Sequence, residues 1–278
     1  MRNLVLFPNM KKIKMIKKVI KKNKKIKVYH EPVVGILGYG EIGQAIAKFY
    51  KKPLLRDINI ADANDPQAGT LNQFEYGMDI LHICIPYSDK FMDIVGENIQ
   101  TYKPKIVIIH SSVKPNTTWT LFRKYPIVVH SPVRGVHPNL YDGIKTFVKF
   151  VGSDDLELGK FVVRHYNDIG IKGEVLGNSY LTEMAKLIDT TYYGLCIAFH
   201  DYADKLCDKQ GLNYEAVMTR YNETYNDGYA ALDMQQVIRP VMYSPKGKIG
   251  GHCVIPNAEL LKETYGENGI LETILKLK

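Results

Sequence analysis

Residues 33–37, Val-Val-Gly-Ile-Leu, run without a polar side chain straight into Gly38-Tyr39-Gly40-Glu41-Ile42-Gly43, and an amphipathic stretch follows over 42–50. G-x-G-x-x-G alone is a weak signal, but here it follows an apolar strand and opens a helix, the context that a phosphate-binding turn requires. Gly38 permits the tight turn, Gly40 lets an anion approach the backbone, and Gly43 lets helix and strand pack closely. The start of the helix adds unpaired N–H groups and the positive end of its dipole, which suits a pyrophosphate. Asp57 stands nineteen residues after Gly38, beyond the apolar pair Leu54-Leu55, where an acid can accept from both ribose hydroxyls. An acid there favours NAD, while Arg56 beside it leaves NADP open. The competing reading is a glycine turn without a ligand, with Asp57 as a strand-end cap, and it ranks below the cofactor reading.

The rest of the first two thirds repeats that texture. Short apolar runs at 33–37, 54–55, 80–85, 106–109, 127–129 and 147–151 alternate with amphipathic stretches at 42–50, 90–100 and 156–169. Runs rich in Val and Ile, with little polar alternation, fit strands buried on both faces of a parallel sheet. The expectation is an α/β fold, a doubly wound Rossmann-type parallel sheet over residues 31–178, followed by a smaller all-helical domain over 179–278. The helical part opens on Leu181, Met184, Ile188, Thr191, Leu195, Ala198 and Tyr202, spaced by three or four residues, which predicts one helix over 179–210 stopped by Gly211. Such a helix is roughly 45 Å long at 1.5 Å per residue, so it links domains or forms a subunit interface. Further helices are expected over 214–226 and 228–238, then a Gly/Pro/Lys-rich loop over 243–257, and a last short helix from Ala258.

The net charge of +8 is concentrated at one end. Arg2 and ten lysines precede Glu31, the first acidic residue; without them the remaining chain carries −3. Residues 1–30 therefore read as a basic arm. A solvated tail is the first reading of it. A membrane-surface helix, suggested by Ile13, Ile16 and Ile20, comes second. A nucleic-acid-binding arm comes third, because no aromatic residue interleaves with the lysines from Lys11 to Lys27. No apolar run approaches the ~20 residues that span a bilayer. The four cysteines (Cys84, Cys196, Cys207, Cys253) show no CxxC pair and no zinc spacing, so no metal site is expected and a reducing cytoplasm is the simplest setting.

In an open α/β sheet ligands bind beyond the carboxyl ends of the strands. Pro86-Tyr87-Ser88, His110-Ser111-Ser112 and His130-Ser131-Pro132-Val133-Arg134 fall there, with Pro86 and Ser111 assigned to the cofactor and His130 and Arg134 to a small-molecule substrate. Taken singly, each of these is more often a turn or capping residue. Lys186 lies early in the long helix, with Glu183, Thr190 and Tyr193 on its face. A desolvated lysine there can serve as acid/base or anchor an alkoxide; the plainer reading is a surface lysine paired with Glu183. Gly250-Gly251-His252-Cys253 presents a thiol from a constrained loop, with Lys248 and His252 as cationic neighbours that favour the thiolate. A thiolate adds to an aldehyde, and loss of hydride from the adduct gives a thioester. A small buried hydrophobe in a glycine loop is the alternative.

Together these residues resemble the UDP-glucose/GDP-mannose dehydrogenase family, within the wider 6-phosphogluconate and 3-hydroxyisobutyrate dehydrogenase group. The resemblance covers roughly 33–257. It rests on the glycine turn, on His110-Ser-Ser-Val-Lys-Pro-Asn-Thr-Thr118, on Ser131-Pro132, on Glu183-Met-Ala-Lys186 running into Ile197-Ala-Phe199, and on Gly250-Gly-His-Cys253. It implies a thiol nucleophile at Cys253 in a two-step, four-electron alcohol oxidation, with Lys186 orienting the oxyanion. Ser112 stands where the family has a water-binding threonine. Substrate contacts are expected from Gly250, Gly251 and His252, and pairing into a homodimer through the long helix.

Three positions depart from the family pattern. Its Ser-Pro-Glu is Ser131-Pro132-Val133, its asparagine four residues after the lysine is Thr190, and its aspartate four residues after the cysteine is Asn257. Thr190 and Asn257 remain candidate catalytic residues in those places. The chain also ends 25 residues past Cys253, so the resemblance implies a truncated relative without the C-terminal domain that binds the nucleotide sugar. Three functions follow as expectations. The first is an NAD(P)-dependent oxidoreductase on a sugar or small hydroxy-acid derivative, by the thioester route or by a simple two-electron step. The second is an NAD-binding sensor or assembly subunit with decayed catalysis. The third is a nucleic-acid- or membrane-associated protein acting through the basic arm.

Overall fold

A computed structural model describes residues 32–56, 69–70, 77–136 and 138–278; Asp57 and the basic arm over 1–30 lie outside them. The chain divides into two compact units. One reaches to Ser111 and resumes over Thr118–Ser179, and the other comprises Ser112–Thr117 and Tyr180–Lys278.

The first unit is an α/β sheet, eight-stranded among the described residues. Its strands are β1 (Val34–Leu37), β2 (Leu54–Arg56), β3 (Gly69–Thr70), β4 (Ile80–Ile83), β5 (Ile106–Ile109), β6 (Val128–His130), β7 (Lys149–Gly152) and β8 (Gly173–Gly177). They lie in the order β3-β2-β1-β4-β5-β6-β7-β8. Pairing is parallel throughout except where β7 meets β6. Every residue of β1, β4 and β5 is buried, as strands covered on both faces require, and all but His82 of β4 are apolar. The helices are α1 (Glu41–Ala47), α2 (Phe91–Tyr102), α3 (Thr117–Lys124), α4 (Leu140–Thr146) and α5 (Leu156–Asp168). The core joins Val34, Ile36, Ile80, Ile108 and Val129 of the strands to Ala45 and Ile46 of α1 and Val162 and Tyr166 of α5. The chain leaves β1 for one side of the sheet and β4 for the other. The strand order therefore reverses between β1 and β4, and that junction is where such sheets hold ligands.

The second unit is helical. α6 runs Ser179–Gln210, and Gly211 takes φ +67° just past its end. A π-helical turn (Glu215–Arg220), α7 (Tyr221–Ala231) and a 3₁₀ turn (Gln235–Val237) follow. α8 (Val254–Tyr265) and α9 (Gly269–Leu275) close the unit, packing Val254, Ile255, Ala258, Leu261, Leu271 and Ile274 on Leu187 and Ala198 of α6.

Three features differ from the sequence expectation. The loop expected to extend to Asn257 ends at Cys253, because Pro256 falls in the first turn of α8, where a missing N–H costs nothing. Ser112–Thr117 joins the helical unit although it lies in the middle of the sheet's sequence. The stripe on α6 is only partly inward: Leu181, Ile188 and Tyr202 are exposed.

Candidate active site

The glycine turn occupies the reversal point between β1 and β4. Gly38 has φ +92°, and a Cβ there would stand 2.8 Å from the Cys84 carbonyl carbon and the Ile85 nitrogen, in the chain leaving β4. Its N–H donates to the Arg56 carbonyl at 2.8 Å, and the Leu37 carbonyl accepts from Cys84 at 2.7 Å. A Cβ on Gly43 would lie 2.0 Å from the Gly38 carbonyl oxygen, so only glycine lets α1 start this close to the turn. Gly40 is the opposite case. It is exposed, it caps α1 without a side chain, and nothing stands within 4 Å of where its Cβ would be. Two glycines are thus required by the protein's own backbone, and the third leaves open space at the helix start. That cradle fits a dinucleotide pyrophosphate. Glu41 is exposed, while Tyr39 and Ile42 pack against the core. The Arg56 guanidinium turns to α2, donating to Asn98 Oδ1 at 3.0 Å and the Tyr102 hydroxyl at 2.8 Å.

The next strand ends are tied to one another. The buried Ser111 hydroxyl donates to the Ile85 carbonyl, and His130 Nε2 lies 3.1 Å from the Ser111 carbonyl. His130 is fully buried, so its ring fastens β6 to β5 from within the sheet. Pro86 is exposed. Arg134 is exposed too, with its guanidinium 5.3 Å from the Phe150 ring centre and 5.7 Å from that of Phe147. Val133 is buried in the core. Cys84, at the end of β4, is no nucleophile: burial pushes its thiol far up from the ordinary range. A cavity of about 570 Å³ lined by Val33, Tyr50, Leu54 and Asp168 lies at the amino ends of β1 and β2, away from the turn.

The helical unit carries the remaining candidates. Glu183, only 1% exposed, accepts from the Asn116 N–H at 2.7 Å, which binds the segment containing Ser112 to α6. Lys186, one turn later, is half-buried, and its carbonyl accepts the Thr190 hydroxyl at 2.8 Å. Thr190 is buried, and Tyr193 is exposed. A Cβ on Gly194 would sit 2.4 Å from Val254 Cγ1, so this glycine lets the start of α8 close onto α6. Cys253 is the residue before that start; it is half-buried, and its carbonyl accepts the Asn257 N–H at 3.1 Å. The Asn257 side chain is 2% exposed and its Nδ2 has no hydrogen-bond partner. A buried, unanswered donor is costly unless something else accepts from it. Gly250, Gly251 (φ +85°) and His252 are exposed, while Ile249 anchors their loop by donating to the Leu277 carbonyl at 2.8 Å. Among the described residues no group of His, Cys, Asp and Glu could hold a metal ion. Sequence reasoning missed the tie from Glu183 to Asn116, which spans 67 residues, and the close approach at Gly194. The Gly194 glycine inside a helix was the only available signal.

No protein-family profile matches the chain. Among curated proteins it is similar to UDP-N-acetyl-D-mannosamine dehydrogenases of Methanococcus vannielii and Methanocaldococcus jannaschii. The first is 21% identical over 184 residues (64% of this chain, 36% of the relative), the second 24% over 200 residues (63% and 42%). The chain thus spans about two fifths of the length of these relatives. Among solved structures it is similar to the UDP-D-ManNAc dehydrogenase of Pyrococcus horikoshii, with TM-score 0.69 and 18% identity over 88% of this chain and 67% of that one. A 3-hydroxyisobutyrate dehydrogenase of Mycobacterium tuberculosis gives TM-score 0.65 and 14% identity, covering 88% of this chain and 92% of that one. At these identities the structural likeness establishes the fold.

Proposed function

We propose that the chain is an NAD-dependent oxidoreductase acting on a CH–OH group of a small molecule, a sugar or hydroxy-acid derivative. The observation that carries this reading is the glycine turn at the sheet's reversal point, where Gly43 tolerates no side chain and Gly40 faces open space. The names of the similar proteins, dehydrogenases of nucleotide sugars and of a hydroxy acid, agree with it. Arg56, engaged by Asn98 and Tyr102, supports NAD over NADP, because its guanidinium is committed away from a 2′-phosphate.

The chain's residues divide the work. The turn and the first turn of α1 bind the pyrophosphate, and Ser111 and Pro86 border the strand ends beside it. A bound nicotinamide would supply the hydride acceptor. Lys186 takes up or steadies the alkoxide as the alcohol loses its proton. Cys253, as its thiolate, would add sulfur to the aldehyde carbon, opening the C=O π bond to an oxyanion; loss of a second hydride, to a second oxidised nicotinamide exchanged for the first, would leave a thioester that water cleaves to the acid and the free thiol. Asn257 Nδ2 offers a donor to a substrate oxygen, and Ser112 and Thr190 lie in the segments that Glu183 and Lys186 fasten. Arg134, His252, Gly250 and Gly251 are accessible to a substrate.

Val133 favours a second reading, a two-electron oxidation that stops at the carbonyl. Its side chain is buried in the core where thioester hydrolysis by a glutamate would need a carboxylate. We also assign the helical unit to a homodimer: from 208 to 248 no residue is buried, although Leu212, Val217, Tyr221, Leu232 and Tyr243 lie there. No described helix is long and apolar enough to cross a membrane.

The test is to supply NAD and a panel of nucleotide sugars and hydroxy acids, and to count reduced nicotinamide per substrate consumed. Two per substrate, falling to one in Cys253→Ala, is the thioester outcome. One per substrate, indifferent to Cys253→Ala, selects the two-electron reading. No reduction with any alcohol, although the dinucleotide binds, contradicts both and leaves a sensor.

A further inference from the structure

From Tyr50, beside the cavity at the amino ends of β1 and β2, through His82 within β4 to the carboxyl ends of β5 and β6 runs a chain of hydrogen bonds that neither the glycine turn nor the thiol uses. The Tyr50 hydroxyl, just past α1, lies 2.7 Å from His165 Nε2 on α5 and 2.9 Å from His82 Nε2 in β4. His82 Nδ1 lies 2.8 Å from His110 Nε2, beyond β5, and His110 Nδ1 lies 3.1 Å from the Ser131 carbonyl, beyond β6. His82 and His110 are essentially without solvent exposure, and their rings stack with centres 5.0 Å apart.

The last acceptor dictates the direction of the whole chain. A carbonyl only accepts, so His110 Nδ1 carries a proton. A neutral imidazole has one donor and one acceptor, so His110 Nε2 accepts from His82 Nδ1–H. His82 Nε2 then accepts from the Tyr50 hydroxyl, and the Tyr50 oxygen accepts from His165 Nε2–H. Every donor points towards Ser131. A cation at either inner ring is opposed by burial and by Lys149, a buried lysine whose Nζ donates to the Ser131 and Pro132 carbonyls. Burial first, then neighbouring charge, holds both inner imidazoles well below the usual histidine range. Tyr50, with Tyr166 and Cys84 beside it, is pushed the other way by burial and stays a phenol. The remaining titratable neighbours are His130 and, beyond His165, Asp168.

We propose that Tyr50, His82 and His110 form an acid-sensitive latch that keeps the carboxyl ends of β4, β5 and β6 together only while both inner rings are neutral. A proton added to His110 Nε2 sets a donor against the His82 Nδ1–H donor, one added to His82 Nε2 leaves the Tyr50 hydroxyl proton without its acceptor, and either places a charge beside Lys149. The chain must then open where strand ends meet the glycine turn. His165, brought down to about 4 by burial, does not trip the latch, because a proton on its Nδ1 leaves Nε2–H donating to Tyr50. The sign follows from linkage. All three histidines titrate lower in the folded chain than the ~6.5 of an unfolded one, so below that pH the unfolded state binds more protons. The latch contributes fully above about pH 6.5, and its contribution is lost as pH falls. The functional consequence, weaker dinucleotide binding in acid, rests on the reading of that edge as a cofactor site; the latch itself does not.

The test uses the full chain and two measurements. Long-range proton–nitrogen correlation of the imidazoles, followed from about pH 7.5 to about pH 5, reads tautomers directly. His82 and His110 should both be neutral with the proton on Nδ1, the reverse of free histidine, and should take up protons only as the latch opens, well below the usual histidine range. Nε2–H tautomers, or ordinary titration near 6.5, would overturn the proposal. The second measurement compares melting temperature against pH for the wild type and for His82→Gln/His110→Gln, whose amides keep one donor and one acceptor each but take up no proton. The wild type should lose stability more steeply below about pH 6.5. Equal slopes overturn the latch, and if the double variant does not fold, the tautomers decide. Absence of NADH binding at every pH, with the tautomers as stated, would reject the cofactor reading and leave the latch standing.

Discussion

At the scale of single residues, the site is governed by how little room the backbone leaves. Gly43→Ala would drive a methyl to 2.0 Å from the Gly38 carbonyl oxygen, and backbone on both sides must move. The expected cost is about 3 kcal/mol, with NADH affinity lost as the turn shifts; denaturant melts and a fluorescence titration check both. Glu183 separates charge from position. Glu183→Ala removes the acceptor that holds the Asn116 N–H and should cost about 2 kcal/mol, whereas Glu183→Gln keeps an acceptor there and should cost less. Alkylation of the folded chain, mapped by peptide mass, should mark Cys253 and Cys196; Cys84 and Cys207, both buried, should react only after unfolding. The tight backbone at Gly38 and Gly43 was legible in the sequence because its signal is local. The latch was not, since Tyr50 and His165 stand 115 residues apart and each histidine alone reads as a strand-end residue.

At the scale of elements, legibility follows burial. β1 and β5 stand out because both faces are covered and no polar residue interrupts them, and β4 is broken only by His82. α6 takes the bounds expected from its spacing and from Gly211. β3 is two residues long, and β8 mixes Gly, Glu, Val and Leu at the half-exposed sheet edge, so neither carries a periodic signal. α3 and α4 are short helices of eight and seven residues, too short for a periodic signal of their own. On the proposed function, the contact between α6 and α8 bears on chemistry. Gly194→Ala would displace Val254, and with it Cys253. Turnover should fall on the order of 100-fold while NADH affinity holds, which a kcat measurement beside a binding titration distinguishes. An equal loss in both would mean that the whole fold, not the position of the thiol, had changed.

At the scale of the molecule, a sheet unit that carries the glycine turn is followed in sequence by a helical unit that carries Cys253, Lys186 and, over 208–248, a surface with no buried residue. That surface makes the chain's stability concentration-dependent if a second copy covers it. Tyr221→Asp/Leu232→Asp on that surface, at residues 62% and 69% exposed, should weaken the dimer by at least about tenfold in light scattering, and an unchanged mass would place the interface elsewhere. Every functional assignment nonetheless depends on the glycine turn holding NAD. Calorimetric titration of NADH and NADPH into the full chain tests that most directly. Saturable binding of one NADH per chain, tighter than NADPH and abolished by Gly43→Ala, is the predicted result. No heat from either dinucleotide up to about millimolar concentration would contradict the account at its root.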